Sequence, residues 1–434
     1  MRKIGIRYED KYLMERRVAL VPDHVKQLVD DGVEIEVVRS EKRIFKDEEF
    51  ETVGAQLVNE VTDSDIVIGV KEMPIGYFKK NRTYIFFSHT IKGQQYNMPL
   101  LQDMINSGAS LIDYEKIEDE QGRRLIFFGR FAGLAGMINS LWALGQRWQN
   151  MGIDTPFLKI KQTHHYNSLE EAKEIIQEVG NYIRENGLPE NVAPLTIGIT
   201  GYGNVSKGAQ EILDLLSVIE VSTDELLTLK NRKDISNKVI YKTVFKEEHL
   251  SKPIEVSKKF ELQEYYDHPE LFESQFEKYI PHMTVLMNCM YWDDRYPRIV
   301  TKDYLEKLYK VRNPKLTVIG DVTCDPDGSI EALHKGTEIE DPVFVYNPFT
   351  RQATMGFEGE GLLIMGVDIL PSELPREASQ TFSNALIGFL PEIVNANFDM
   401  SFENLKLPSP IKKAMIVFKG KLTPDYEYLN EHLK

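Results

Sequence analysis

Two basic side chains that can transfer protons near neutral pH follow two apolar segments in the N-terminal part of the chain. Lys71 follows the apolar run 65–70, and His89 follows the run 84–88. A lysine that is partly desolvated near other cations titrates near neutrality, and a histidine does so unaided. Such a pair can move the protons that a redox step at an amine or a carbonyl requires. The structural alternatives are a solvated charge for Lys71 and a capping or core residue for His89.

A glycine-rich turn in the middle of the chain has the spacing of a dinucleotide-binding loop. The apolar run 195–199 leads into Gly201-x-Gly203-x-x-Ser206, and apolar residues then recur at helical spacing. Glycines let the backbone approach a pyrophosphate, and the start of a helix offers free N–H groups. The predicted cofactor-binding residues of this loop are Gly201, Gly203, Asn204, Val205 and Ser206. The alternative is an ordinary turn of a parallel sheet that binds no ligand.

The type of nicotinamide cofactor depends on the residue at the tip of the next strand, predicted at 218–222. Ser222 lies about 20 residues beyond Gly201, where NAD-binding proteins place an acid that accepts from the ribose 2′-OH. A hydroxyl can donate to a 2′-phosphate, whereas a carboxylate repels it. We therefore predict that Ser222 contacts the cofactor and that NADP(H) is favoured over NAD(H). A strand end displaced by two residues would restore an acid, Glu220 or Asp224, and reverse this preference.

Arginines near the strand ends are candidates for holding substrate carboxylates. Arg16 and Arg17 lie in the loop after the first strand, and Arg130 precedes a small-residue-rich helix over 131–150. Guanidinium groups bind carboxylates in a bidentate geometry. We expect Arg130 to reach a cleft between domains and the helix to pack tightly between them. A surface ion pair is the alternative for any one of these arginines.

Strand and helix patterns alternate along nearly the whole chain, which predicts an α/β fold with parallel sheets. A capping box at 168–171 opens a helix that ends near Gly187. The predicted domains are 1–140 together with about 350–434, and about 141–349 with an insertion of helices at 223–280. The remaining predicted strands are 2–7, 33–38, 284–288, 316–321 and 362–367, the last of them in the first domain.

Composition limits the classes of partner and location. The formal net charge of −15 argues against nucleic acids and anionic membranes, so anionic substrates need local basic side chains. No apolar run reaches the length of a membrane span, and the first residues are too short for a signal peptide. Two cysteines favour a reducing cytoplasm. Neither 321–329 nor His164-His165 has metal-ligand spacing, so no metal is expected.

Eight motifs together resemble one enzyme family. They are Glu-Arg-Arg-x-x-Leu-x-Pro at 15–22, Lys-Glu-Met-Pro at 71–74, Phe-Phe-Ser-His-Thr-Ile-Lys at 86–92, Leu-Ile-Asp-Tyr-Glu at 111–115, Phe-Ala-Gly-Leu-Ala-Gly-Met-Ile-Asn at 131–139, Thr-Gly-Tyr-Gly-Asn-Val-Ser-Lys-Gly-Ala-Gln-Glu at 200–211, Asn-Cys-Met-Tyr-Trp at 288–292 and Val-Asp-Ile-Leu-Pro-Ser-Glu-Leu-Pro-Arg-Glu-Ala-Ser at 367–379. Over nearly its whole length the chain resembles the lysine–ketoglutarate reductases (lysine-forming saccharopine dehydrogenases), in particular the N-terminal half of the bifunctional aminoadipic semialdehyde synthases.

This resemblance implies the alanine dehydrogenase and transhydrogenase type of fold, with two Rossmann-like domains and a cleft between them. It also implies that lysine and 2-oxoglutarate condense to an imine, which nicotinamide hydride reduces to saccharopine. The resemblance makes Lys71 and His89 the acid/base pair and places Asp368 near the cofactor. The implied substrate-side residues are Glu15, Arg17, Glu72, Glu115 and Arg124. Because the chain ends at Lys434, the dehydrogenase half of the bifunctional relatives is expected to be absent.

Two other functions stay open at this point. One is a related amino-acid or opine dehydrogenase, such as an enzyme that acts on alanine. The other is a catalytically silent binding protein that kept the fold. The sequence also leaves a homo-oligomer open.

Overall fold

The computed structural model describes residues 3–311 and 314–433 and divides the chain into two units. The first unit ends at Phe128 and resumes at Pro375, and the second runs from Gly129 to Leu374. These boundaries differ from the expected ones near 140 and 350. The helix that begins at Gly129 packs on the second sheet, and the strands between 343 and 365 also pair there.

The first unit contains an eight-stranded sheet that is parallel except at one edge. Its strands, numbered along the whole chain, are β1 (Ile4–Ile6), β2 (Ile35–Val38), β3 (Gln56–Val58), β4 (Ile66–Ile68), β5 (Thr83–Phe86), β6 (Ser110–Asp113), β17 (Met415–Phe418) and β18 (Lys421–Leu422). Their order is β18-β17-β6-β5-β4-β1-β2-β3, and only β17 and β18 run antiparallel to their neighbours. The carboxyl ends of β1, β4, β5 and β6 therefore lie side by side, which is where open parallel sheets bind ligands.

Among the described residues of this unit, six α-helices accompany the sheet: α1 (Pro22–Asp30), α2 (Asp47–Thr52), α3 (Met98–Ser107), α11 (Pro375–Ile387), α12 (Leu390–Asn395) and α13 (Ser409–Lys413). Every residue of β1, β4 and β5 is buried, as expected for parallel strands covered on both faces. Helix α11 belongs to the second chain segment of the unit and is hydrogen-bonded to the first. Its Ser379 and Ser383 hydroxyls accept hydrogen bonds from the backbone N–H groups of Val18 (3.0 Å) and Val21 (3.1 Å).

The second unit contains another eight-stranded sheet and a separate two-stranded one. Its strands are β7 (Leu195–Thr200), β8 (Val218–Glu220), β9 (Ile240–Phe245), β10 (Ser251–Pro253), β11 (Phe272–Ser274), β12 (Val285–Asn288), β13 (Val318–Asp321), β14 (Val343–Asn347), β15 (Gln352–Met355) and β16 (Leu362–Met365). The large sheet has the order β15-β14-β16-β13-β12-β7-β9-β8, and β14 runs antiparallel to both of its neighbours. Strands β10 and β11 form the antiparallel pair.

In the part of the second unit that the structure describes there are seven α-helices: α4 (Gly129–Asn150), α5 (Leu169–Asn186), α6 (Asn204–Leu213), α7 (Thr223–Thr228), α8 (Glu247–Leu250), α9 (Leu262–Asp267) and α10 (Lys302–Tyr309). The predicted cap of α5 is confirmed, because the Ser168 hydroxyl accepts from the Glu171 backbone N–H at 3.2 Å. The small residues of α4 lie against α6 of the same unit. A Cβ on Gly133 would come within 1.9 Å of the Val205 carbonyl oxygen.

Two predictions about strands were wrong. The predicted strand 362–367 is β16, but it pairs with β13 and β14 in the second sheet and does not complete the first. The segment 223–280 contains β9, a central strand, and is more than a helical insertion. Lys242 interrupts the apolar pattern of β9; its ammonium is buried and lies 2.9 Å from Asp214 and 3.2 Å from Glu220.

No helix within the described residues has both the length and the apolar character that a membrane crossing requires.

Candidate active site

Lys71 follows β4, and a buried carboxylate fixes the backbone at this point. Glu9, in the loop after β1, accepts from the Val70 N–H at 2.7 Å and from the Lys71 N–H at 2.8 Å. Burial, together with the nearby charge of Glu15, raises the pKa of Glu9 to about 7, although the two backbone hydrogen bonds oppose the shift. The start of the Lys71 loop is thus held to the neighbouring central strand.

The half-buried Lys71 side chain extends over an aromatic ring. Its Nζ lies 5.8 Å from the centre of the Tyr12 ring, within the range of a cation–π contact. Tyr12 also belongs to the loop after β1, and its carbonyl accepts from Lys42 Nζ at 2.8 Å. The loop after β1 therefore contacts both the backbone and the side chain of Lys71.

His89 follows β5 and shares one carboxylate with a lysine. Glu72 Oε1 accepts from His89 Nδ1 at 2.8 Å and from Lys11 Nζ at 2.6 Å. Burial alone would raise the pKa of Glu72, but His89 and Lys11 outweigh it and lower this pKa to about 2. Because the ionised Glu72 can only accept, Nδ1 carries the hydrogen and the imidazole is held in one orientation.

The backbone of His89 adopts a conformation that side chains rarely take. Its φ is 52°, in the left-handed region, and the Asn97 amide donates to its carbonyl at 2.7 Å. The imidazole stacks on the Phe87 ring, with 6.1 Å between the centres and 14° between the planes. These contacts make His89 a fixed residue at the strand end, unlike a mobile surface histidine.

Glu15 and Arg17 form a buried pair in the same unit. Arg17 Nε donates to Glu15 Oε1 at 2.7 Å, and its Nη2 lies 2.5 Å from Oε2. The guanidinium carbon sits 4.1 Å from the centre of the Phe128 ring, which stacks on Phe382 of α11. The fork of Arg17 therefore already binds one carboxylate, that of Glu15.

Glu115 and Arg124 form a second pair at the carboxyl end of β6. Arg124 Nη2 lies 2.5 Å from Glu115 Oε1, and about half of the Arg124 side chain is exposed. The backbone N–H of Glu115 donates to Asp113 Oδ1 at 2.8 Å. Burial raises the pKa of Asp113, and the charge of Glu115 adds to this, against a hydrogen bond from Ser88. The first unit thus brings together the segments that carry Lys71, Glu72, His89 and Glu115.

The glycine loop of the second unit has the shape that a dinucleotide requires. Gly201 has a φ of 80°, and a Cβ there would lie 3.2 Å from the Cys289 carbonyl. A Cβ on Gly203 would meet no heavy atom within 4 Å, so the backbone faces open space before α6 begins at Asn204. Ser206 is fully buried, which permits close helix packing. The loop therefore fits a pyrophosphate at the start of α6.

A cavity of about 250 Å³ continues from this loop. It is rich in aromatic side chains, and its lining consists of Gly201, Tyr202, Gly203, Glu247, Leu250, Tyr265, Tyr266, Cys289, Met290, Tyr291 and Tyr296.

Ser222 and Asp368, two other predicted cofactor residues, have different surroundings. Ser222 follows the edge strand β8, and its hydroxyl caps α7 by accepting from the Glu225 N–H at 3.2 Å. Strand β9 lies between β7 and β8 in the sheet, so Ser222 does not follow the strand next to the glycine loop. Asp368 is exposed and follows β16.

Arg130 forms an ion pair, which was the alternative to a role in substrate binding. Its Nε and Nη2 donate to the two carboxylate oxygens of Glu211 at 2.9 and 2.7 Å, and Lys173 Nζ lies 2.9 Å from the same carboxylate. The expectation that Arg130 reaches toward substrate has no support in these contacts. Among the described residues, no group of three or more His, Cys, Asp or Glu side chains is arranged to hold a metal ion.

Two family models match the chain. The model of the alanine dehydrogenase/PNT N-terminal domain matches residues 5–135, and that of the C-terminal domain matches residues 254–425, together more than half of the chain.

The chain belongs to the alanine dehydrogenase/PNT family.

Relatives of this alanine dehydrogenase/PNT protein include an α-aminoadipic semialdehyde synthase of Arabidopsis thaliana, 38% identical over 98% of the chain. The chain spans only 41% of that relative's length. A saccharopine dehydrogenase [NAD(+), L-lysine-forming] of Emericella nidulans is 28% identical over 89% of this chain and 90% of its own. A solved L-alanine dehydrogenase shares the fold, with a TM-score of 0.63, 19% identity and full coverage of both chains.

Proposed function

We propose that the protein interconverts L-lysine plus 2-oxoglutarate and saccharopine by hydride transfer. The observation that carries the proposal is the first-unit cluster: Lys71 and His89 follow adjacent strands, and Glu72 orients the imidazole at 2.8 Å. The names of the Arabidopsis and Emericella relatives support the choice of substrates. A nicotinamide dinucleotide, which supplies the hydride, is assigned to the glycine loop Gly201, Gly203, Asn204, Val205 and Ser206.

The reaction needs two groups that move protons. The lysine ε-amine attacks the keto carbon of 2-oxoglutarate; its nitrogen loses a proton and the former keto oxygen gains one, which gives a carbinolamine. The carbinolamine hydroxyl gains a second proton and leaves as water, and hydride addition to the carbon of the resulting protonated imine gives the secondary amine of saccharopine. We assign these proton transfers to the Lys71 ammonium and the Nε2 atom of His89, because Glu72 occupies Nδ1. Kinetics of Lys71 and His89 variants would determine which of the two groups makes which proton transfer.

Saccharopine carries three carboxylates, and the first unit provides several cationic side chains. Arg124 retains an exposed guanidinium surface beside Glu115. Arg17 and Glu15 form a buried ion pair, and we propose that this pair forms a rigid part of the substrate-site lining. Glu72 completes the set as the carboxylate that orients His89.

Cofactor preference, location and assembly complete the proposal. The prediction of NADP(H) rested on a contact between the Ser222 hydroxyl and the cofactor. This hydroxyl caps α7, so it no longer supports a preference for NADP(H). Both cysteines are buried free thiols, in keeping with the predicted reducing cytoplasm. A homo-oligomer remains a prediction.

The test is oxidation of a reduced nicotinamide cofactor by the purified protein with lysine and 2-oxoglutarate. We expect turnover in the wild type and a fall of about 10²–10⁴-fold in kcat for Lys71→Met, as for loss of a general acid–base group. The matched control is Lys79→Met, which removes an exposed ammonium from the same unit. Turnover with pyruvate and ammonia in place of this pair would indicate an alanine dehydrogenase. Cofactor binding without any turnover would indicate a silent binding protein.

A further inference from the structure

The sheet order of the second unit changes which residue stands beside the glycine loop. In NAD-binding folds the acid that accepts from the adenosine ribose follows the strand adjacent to the first one. That adjacent strand is β9 and not β8. The backbone N–H of Gly201 donates to the carbonyl of Phe245, the last residue of β9, at 2.9 Å. The loop and the end of β9 are therefore directly joined, and Glu247 lies two residues further on.

Glu247 lies at the cavity beside the loop with its carboxylate held in place. Its Oε1 accepts from the Tyr266 hydroxyl at 2.8 Å and from the Tyr202 hydroxyl at 3.4 Å. Tyr202 stands between the two glycines of the loop. Both bonds use Oε1, so Oε2 has no side-chain donor within the described residues. The carboxylate is half-buried and lines the same cavity as Gly201 and Gly203.

The charges around this cavity favour a neutral hydroxyl over a phosphate. The charges that act on the Tyr296 hydroxyl, at the lining of the cavity, are one cation and three acids: Arg295, Asp293, Asp267 and Glu247. The adjacent Arg295 is already paired with Asp293, through bonds of 3.0 and 2.8 Å. A 2′-phosphate would therefore meet a carboxylate at Glu247 and an arginine that is already neutralised.

We propose that Glu247 accepts the hydrogen bonds of the adenosine ribose and makes this protein select NAD(H) over NADP(H). The inference rests on the proposed function for its cofactor class and reverses the preference drawn from Ser222. Tyr266 acts as the positioning residue for the carboxylate. The aromatic lining of the cavity, including Tyr202 and Tyr265, provides surfaces against which an adenine can stack.

The experiment measures the dissociation constants of NADH and NADPH by calorimetry with the full chain and no substrate. The variants are Glu247→Gln and Glu247→Arg, with Glu248→Gln as the matched control on the exposed neighbouring carboxylate and Ser222→Ala as the control for the edge strand. We expect the wild type to bind NADH at least about tenfold more tightly than NADPH. Glu247→Gln should weaken NADH binding by about 10–100-fold, which is the effect expected from the loss of one hydrogen bond to a charged group.

The remaining variants sharpen this expectation. Glu247→Arg should reverse the preference, because a guanidinium binds a phosphate and offers no acceptor to a hydroxyl. Tyr266→Phe should reduce the preference partially, and both controls should retain it. Circular dichroism establishes that each variant is folded. A wild type that prefers NADPH, or a Glu247→Gln protein with the ratio of the Glu248→Gln control, would overturn the proposal.

Failure of this inference and failure of the proposed function give different results. Turnover of lysine and 2-oxoglutarate with a cofactor ratio insensitive to Glu247 would refute only the role of Glu247. The expected binding preference without turnover of that pair would refute only the proposed reaction. The binding measurements need no substrate, so they decide the role of Glu247 in either case.

Discussion

One carboxylate serves two basic groups at the centre of the candidate site. Glu72 Oε1 accepts from His89 and Lys11, whereas Oε2 is buried and makes no hydrogen bond to any described residue. A buried polar atom without a partner costs free energy, so this arrangement is expected where function requires it. The orientation of the imidazole therefore depends on a single oxygen of Glu72.

Replacing Glu72 tests this dependence. In Glu72→Gln the neutral amide loses the charge that holds Lys11 and the acceptor that orients His89, and we expect kcat to fall by about 10–100-fold, with a smaller change in KM. The pKa of Glu72 is about 2, so the wild-type carboxylate stays ionised across the assay range. The measurement is steady-state kinetics with lysine and 2-oxoglutarate. A kcat equal to that of the exposed control Glu60→Gln would contradict this role.

The sequence indicates part of this site. Lys71 and His89 can be found because each directly follows an apolar strand, and parallel strands end at one edge of a sheet. Glu9 and Lys11 were missed because they lie outside the 15–22 motif of the loop after β1. Their signal is the position of β1, which lies between β2 and β4 in the finished sheet. In a sequence, a carboxylate that directly follows a central strand is therefore a candidate for a residue that fixes the neighbouring loop.

At the scale of elements, two helices approach each other through glycine. A Cβ on Gly133 of α4 would lie 1.9 Å from the Val205 carbonyl oxygen and 2.7 Å from the Ala209 nitrogen. A Cβ on Gly208 of α6 would lie 2.1 Å from the Arg130 carbonyl oxygen. Both contacts are with backbone atoms, which cannot move aside without shifting the helix. The start of α6, which carries the dinucleotide loop, is thereby positioned by α4.

A single methyl group at this contact should be costly. We expect Gly133→Ala to lower the free energy of unfolding by about 3 kcal/mol, because the added carbon must displace α6. We also expect it to weaken NADH binding, since α6 would move relative to β7. Gly388→Ala is the control, because a Cβ there meets nothing within 4 Å. Urea unfolding and calorimetry measure the two effects. Equal stability of the two variants would show that the helices accommodate the methyl group.

The elements themselves were predicted more reliably than their order in the sheets. Strands such as β4, β5, β7 and β12 follow from short apolar runs. Strand β9 was missed because Lys242 interrupts its pattern. Asp214 and Glu220, together with the Gln210 amide oxygen at 3.2 Å, make this buried lysine acceptable. The error about Ser222 has the same origin, since β9 displaces β8 to the edge. Sheet order depends on pairings between distant segments, which local patterns do not contain.

At the scale of the whole molecule, both units bury acids near the carboxyl ends of their central strands. Glu9 and Asp113 lie there in the first unit, and Asp321 ends β13 in the second. Burial raises the pKa of each of these three carboxyl groups. The chain also carries a formal net charge of −15, which repels itself in the compact state. Both effects oppose folding more strongly as the pH rises.

Asp321 gives this trend a direct test. Its Oδ1 accepts from the Asn288 amide at 2.8 Å, but its buried Oδ2 has no hydrogen bond within the described residues, and burial raises its pKa to about 7. An acid whose pKa is raised in the folded state stabilises the protein below its unfolded pKa, and this contribution is lost as the pH rises through the folded pKa. We therefore expect the urea midpoint to fall as the pH rises from about 5 to about 7.5, and to level off above that.

Asp321→Asn removes the titrating group and should flatten the part of this decline that belongs to the second unit. We expect the stability advantage of the variant over the wild type to grow by about 2 kcal/mol from about pH 5 to about pH 7.5, because the unfolded carboxyl is ionised at both pH values and the folded one ionises only near pH 7. Asp341→Asn changes the net charge equally at an exposed position and should leave the slope unchanged. Urea titrations at both pH values, followed by circular dichroism, provide the measurement. An Asp321→Asn protein with the wild-type slope would mean that self-repulsion of the net charge, and not the buried carboxyl, governs the pH dependence.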